Sequence, residues 1–226
     1  MIKSLYPPFR KWTEKGALWV YSDPHFSDPE MPNLRKNYIT DEEQVSRINA
    51  KVGKNDTIIF LGDIGNVDMI RHIRGYKVLI MGNHDKGATN YERKKNRYMG
   101  VDENGNFIFV DNRLFDEVYE GPLFISDRLL LSHEPIDLPF AFNIHGHDHS
   151  NDLRDHHLNV CAEWINYTPV NINQLIKTGE LSKVDSIHRI TIDRANERKI
   201  EEEMRRERDK FFIDQFRLKK EKGNAN

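Results

Sequence analysis

Cysteine is almost absent from this chain. Cys161 stands alone among 226 residues, which excludes an internal disulfide framework and fits a reducing compartment. Neither sign of charge prevails: 34 Lys and Arg against 36 Asp and Glu leave a formal −2. The chain therefore has no broad electrostatic bias toward nucleic acid or an anionic membrane, and any phosphate recognition must be local. No apolar run approaches the roughly 18 residues of a spanning helix, and the opening "MIKSLYPPFRKW" lacks the apolar core of a signal peptide. These absences lead to the expectation of a soluble, cytoplasmic protein with no membrane partner, long enough for one well-cored domain and an appendage.

What is present is a series of short apolar runs that end in polar clusters. "ALWVYS" runs into "DPHFSDP", "TIIFLG" into "DIGN", "KVLIMG" into "NHDKG", "RLLLS" into "HEP", and "FNIHG" into "HDHSN". Runs of this length, rich in branched and aromatic residues, read as buried strands, so each polar cluster falls at a strand's carboxyl end. Thr40 followed by Glu43 is a capping-box signature that opens a helix through "DEEQVSRINAKV", closed by Gly53. A shorter helix is predicted through "VDMIRHI" after Asn66, and another through "INQLIK" capped by Asn171. The alternation of strand and helix predicts an α/β fold. "NGNFIFV", "DEVYEGPLFI" and "HLNVCA" add further strands. From about Asp193 charge dominates, with Ile200, Met204, Phe211 and Phe216 as sparse apolar points. The expected division is a domain over residues 1–185 and a charged helical extension over 186–226, whose apolar stripe suggests a homodimer.

The polar clusters contain Asp23 and His25, Asp63, Asn83 and His84, His133, then His147 and His149. An open sheet lines its strand ends along one crevice, so residues scattered in sequence can converge there. Carboxylates mixed with imidazoles suit Mn, Fe, Zn or Ni more than Ca. There are ligands enough for two ions sharing one carboxylate, an arrangement suited to hydrolysing phosphate esters. A structural zinc site, by contrast, would favour cysteines.

In order along the chain, "DPH" (Asp23 to His25), "GD" (Gly62, Asp63), "GNHD" (Gly82 to Asp85), "SHEP" with His133, and "GHDH" (Gly146 to His149) resemble the ordered motifs of the calcineurin-like metallophosphoesterases. The segment "LNVCAEWINYTPVNINQL" resembles the ending of a small bacterial and phage branch, and the resemblance spans about residues 17 to 178. It implies a four-layer αββα sandwich of two facing mixed sheets flanked by helices. It implies one metal held by Asp23, His25, Asp63 and His149, and a second by Asp63, Asn83, His133 and His147, with Mn the first choice. By the same resemblance, a hydroxide bridging the metals attacks the phosphorus, His84 assists the leaving group, and Asp85 orients His84. The implied reaction is hydrolysis of a phosphodiester, nucleotide or nucleic-acid-like; a phosphomonoester is the alternative.

His145 falls outside the GHxH pattern and reads as a packed histidine near the strand end. His72, His156, His157 and His188 match no motif position. Cys161, inside an apolar strand, reads as a core residue rather than a nucleophile. The basic run "ERKKNR" at 92–97 reads as a solvated helix face or, alternatively, as a guide for an anionic substrate, and Asn66 is a candidate support for the site. "GDIGN" and Asp85 depart from the protein-phosphatase pattern, which has an arginine after GD and a glutamate after GNH. Ser27 and Asp28 replace the glycine-histidine common in the small branch. Asp28 thereby adds negative charge at the expected mouth. A silent scaffold and a nucleic-acid-binding module using the tail are the alternatives from other classes.

Overall fold

The structure is a computed structural model that describes residues 5–85, 97–101, 103–111, 113–150, 154–184 and 186–223. The chain divides into two compact units, Met1–Asp185 and Ser186–Asn226. Apart from Arg97, the basic run at 92–97 lies outside the described residues. No described helix is long and apolar enough to cross a membrane.

In the first unit the strands are β1 (Leu18–Tyr21), β2 (Thr57–Phe60), β3 (Tyr76–Ile80), β4 (Arg97–Val101), β5 (Phe107–Asp111), β6 (Glu117–Tyr119), β7 (Leu123–Phe124), β8 (Leu129–Leu131), β9 (Phe142–His145), β10 (His157–Asn159) and β11 (Val170–Asn171). They form a five-stranded sheet in the order β11-β1-β2-β3-β6, a four-stranded sheet β10-β9-β8-β7 and a hairpin of β4 with β5. Strands β1, β2, β3 and β6 run parallel, and β11 closes that sheet antiparallel on β1. Strands β8, β9 and β10 are parallel and β7 is antiparallel to β8. Both large sheets are therefore mixed, as expected.

Alternation along the strands builds two cores. Leu18, Val20, Ile59, Leu61, Val78 and Ile80 of the five-stranded sheet meet Leu129, Leu131, Phe142, Ile144 and Val160 of the other. On the opposite face Tyr21, Ile58, Phe60 and Leu79 pack with Val45, Ile48 and Val52. Burial on both faces is why these strands read as continuous apolar runs. The layers are thus helix, sheet and sheet. Beyond them, the outer face of the four-stranded sheet carries the fully buried Asn143, whose Oδ1 accepts the Ile136 N–H at 2.8 Å. A buried amide needs such a partner, and here a backbone N–H of the segment between β8 and β9 supplies it.

The helices are α1 (Met31–Leu34), α2 (Asp41–Lys51), α3 (Ile172–Lys177) and α4 (Ile187–Gly223). The predicted caps form: Thr40 Oγ1 accepts the Glu43 N–H at 3.3 Å, and Asn171 Oδ1 accepts the Asn173 N–H at 2.9 Å. The segment after Asn66 is a 3-10 turn, Val67–His72, instead of an α-helix. Its six residues bury only Ile70, too small an apolar face to hold a longer helix. Asn66 serves as its cap and also donates to Ser27 Oγ at 3.2 Å. In the second unit, α4 starts at Ile187, ahead of the point where charge begins to dominate.

Candidate metal centre

Each polar cluster leaves the end of a parallel strand: Asp23 and His25 follow β1, Asp63 follows β2, Asn83 and His84 follow β3, His133 follows β8, and His147 and His149 follow β9. The chain turns sharply at these points. Asp23, His25, Asp63 and His147 all have positive φ, between 45° and 65°. Left-handed backbone at four non-glycine residues is costly, and it persists only where the surroundings fix it, typically at functional sites. Glycine is required beside them. A Cβ at Gly146 would collide with Ser22 Oγ and Asp23 Oδ2, and one at Gly82 with Asp63 Oδ1.

The side chains gather into two sets, Asp23 with His25 and His149, and Asp63 with His133 and His147. Within each set the ligand-type atoms lie within 4.8 Å of one another. Asp23 Oδ1 is 3.9 Å from His25 Nε2 and 3.6 Å from His149 Nε2. Asp63 Oδ2 is 3.8 Å from His25 Nε2 and 3.4 Å from His133 Nε2, so this one oxygen faces both sets. Asn83 Oδ1 joins the second set, 2.8 Å from His133 Nε2.

The opposite edge of each ring explains this aim. His133 Nδ1 lies 2.7 Å from the Leu61 carbonyl, to which it can only donate. Nε2 of His133 then faces Asn83 Oδ1 at 2.8 Å, Asp63 Oδ2 at 3.4 Å and His147 Nδ1 at 3.2 Å, a convergence of ligand-type atoms that a cation would stabilise. His25 Nδ1 faces Asp28 Oδ2 at 3.4 Å, and His149 Nδ1 bonds Glu163 Oε1. His133 and His149 are thus hydrogen-bonded at Nδ1 to an oxygen and turn Nε2 inward, the usual setting of metal-bound histidine, and His25 has a carboxylate at ion-pair distance on the same edge. Asp23 Oδ1 and His25 Nε2 are buried with no hydrogen-bond partner, a costly state that a bound ion relieves.

Electrostatics follow the same layout. Burial holds the His25 imidazole below its ordinary pKa, against the opposing effect of Asp23. The bond to Glu163 raises that of His149 against the opposing effect of burial. Burial alone would raise the Glu163 carboxyl, but His149 and the Arg35 guanidinium hold it below its usual value. Arg35 also donates to the Asp23 carbonyl at 2.7 Å, clamping the first turn from behind.

Two expectations change. Asp85, expected to orient His84, instead accepts backbone N–H groups from Asp63, Ile64 and Gly82 at 2.8, 3.1 and 2.8 Å. It fixes the turns that present Asp63 and Asn83, because unpaired N–H groups at a tight turn are satisfied most strongly by a carboxylate. Asp28, expected to burden the mouth, supports His25. His84 lies where expected: its backbone N–H bonds Asp63 Oδ1 at 3.0 Å, and its side chain is 68% exposed with Nε2 4.0 Å from Asp63 Oδ2. His145 is buried against His157 and stays out of both sets. His72 and His156 are exposed, and the side chain of His188 lies outside the described residues. Cys161 is buried, and its thiol is pushed far up in pKa, by burial first and then by Asp23. Glu163 and Arg35 were missed; the one available signal was a lone carboxylate in the otherwise uncharged run "NVCAEWINY".

No protein-family profile matches the chain. It is 24% identical over 193 residues to an uncharacterized protein of Methanocaldococcus jannaschii, covering 74% of this chain and 93% of that one. The fold is similar, with a TM-score of 0.51 and 21% identity, to the crystal structure of a protein of unknown function from Aquifex aeolicus, over 72% of this chain and 98% of that one.

Proposed function

We propose that the chain is a dinuclear metal-dependent phosphoric ester hydrolase of the calcineurin-like kind, acting on a phosphodiester of nucleotide or nucleic-acid type. The observation that carries this reading is the inward turn of His25, His133 and His149 onto Asp23 and Asp63, with buried, unpartnered atoms at the focus. Two mixed sheets sharing one core support the αββα sandwich that the ordered motifs imply. Asp23, His25, Asp63 and His149 would hold one ion, and Asp63, Asn83, His133 and His147 the other. Divalent ions bound there, Mn first with Fe, Zn or Ni as alternatives, supply a water-derived nucleophile at neutral pH and compensation of phosphate charge.

The protein's own groups do the rest. His84 is open to solvent beside Asp63, so its Nε2 can hand a proton to the departing ester oxygen. Asp85 holds the two turns that place Asp63 against Asn83. Glu163, bonded to Nδ1, leaves Nε2 of His149 to face the metal set, and Asp28 faces the corresponding edge of His25.

The test is hydrolysis of paired diester and monoester substrates by chelated and Mn-reconstituted protein. Diester cleavage should require metal, and His84→Ala should lower turnover by on the order of a hundredfold. Preference for the monoester would replace the diester reading. Metal-reconstituted protein inert on every ester would remove the enzyme and leave a scaffold.

A further inference from the structure

Beside the first metal set lies a cleft of about 560 Å³, lined by Met31, Leu34, Arg35, Lys36, Asn37, His149, Ser150, Glu163 and Trp164. That volume falls within the range of small-molecule sites. Met31, Leu34 and Trp164 give it an apolar wall, open where a core residue would be covered: Leu34 is 67% and Trp164 46% exposed. Trp164 is nevertheless fixed. Its Nε1–H donates to the His149 carbonyl at 3.1 Å, so the indole is tied to the backbone of a proposed ligand. A large aromatic left open to water, yet held by a hydrogen bond, is a prepared stacking surface.

Charge narrows the occupant. Glu163, the carboxylate in the lining, is consumed by Arg35 at 3.3 Å and by His149, so it does not repel an anion. Lys36 is exposed at the rim, and among the described residues it has no ion-pair partner. An occupant with a flat apolar part and a phosphate fits both halves. The phosphate would lie at the metal sets, with His149 common to the two regions.

We infer that Trp164, with Leu34 and Met31, forms the subsite for the nucleobase of a nucleoside phosphodiester, and that Lys36 attracts its anionic portion. This rests on the hydrolase reading above and adds what that reading leaves open: which side of the phosphate is recognised, and by what chemistry.

The experiment compares three diesters sharing one leaving group, the p-nitrophenyl esters of thymidine 5′-phosphate, phenyl phosphate and methyl phosphate, on the Mn-reconstituted full chain. Trp164→Ala should raise KM for the thymidine ester about tenfold, in line with the loss of one base stack, and leave KM for the methyl ester within about twofold. Trp164→Phe, which keeps a ring but loses the N–H tether, should recover most of the difference. Equal rises for all three esters, or no rise, would overturn the subsite, and so would a phenyl ester as well bound as the thymidine ester. If Phe fails to restore what Ala loses, Trp164 serves to hold His149 and the inference is wrong. Quenching of tryptophan fluorescence by thymidine 5′-monophosphate, present in the wild type and lost in Trp164→Ala, reads the subsite without turnover. Failure of the hydrolase reading, seen as no cleavage of any ester, is thereby separated from failure of the subsite.

Discussion

Glu163 illustrates how much of a metal centre lies one bond behind its ligands. It holds His149 on one side and Arg35 on the other, and Arg35 in turn grips the turn that carries Asp23. Glu163→Gln should therefore weaken metal binding about 10- to 100-fold, as is usual when such a support is altered. Competition against a chelator of known affinity measures this, and an unchanged affinity would mean the tether is incidental. The ligand-type residues themselves were legible because histidines and carboxylates at the ends of apolar runs have few structural uses. The supports were not. Glu163 is 14 residues from His149, and its role exists only once β9 and β10 are paired. Asp85 was misread for the converse reason. Its neighbour in sequence is His84, but its carboxylate turns to backbone N–H groups that no residue pattern records.

Among the elements, the strands whose both faces are buried were the easiest to read, and so were the helices that begin on a capping side chain. The two-residue β11 was not, because two residues carry no period and the pairing with β1 is made at long range. The role of Asn143, a buried polar residue inside an apolar run, was equally hidden, since its partner is the backbone N–H of Ile136 in the segment before β9. In α4, Ile200, Met204 and Phe211 are exposed at spacings that bring them to one side of the helix. Pairing of two chains through this stripe is the occupant we propose for it. The full-length chain should sediment as a dimer and the chain ending at residue 185 as a monomer with its metal content unchanged. A monomeric full-length chain removes the idea.

For the molecule as a whole, one buried carboxylate ties the 3-10 helix Pro7–Thr13 to the main sheet. Glu117 on β6 accepts from Trp12 Nε1 at 2.9 Å and Tyr76 OH at 2.7 Å, and it also bonds Tyr119 and Lys11. Burial alone would raise its pKa, but hydrogen bonds from Lys11, Tyr119, Trp12 and Tyr76 outweigh it and hold the carboxyl at about 2. A folded value below the unfolded one means the stabilisation is full above about 4.5 and drains away as pH falls toward about 2. Denaturant midpoints measured down that range should fall, and Glu117→Gln should flatten the decline while lowering stability at neutral pH. An identical slope in the variant would assign acid sensitivity elsewhere.

The central claim, that these strand ends form a two-ion centre bridged by Asp63, is tested most directly by counting metal. Chelated protein is reconstituted with Mn, freed of excess and subjected to elemental analysis beside Asp63→Ala and His84→Ala. The account predicts two ions per chain in the wild type and in His84→Ala, and loss of both in Asp63→Ala. Two ions retained by Asp63→Ala, or full hydrolytic activity in protein shown to be metal-free, would contradict it.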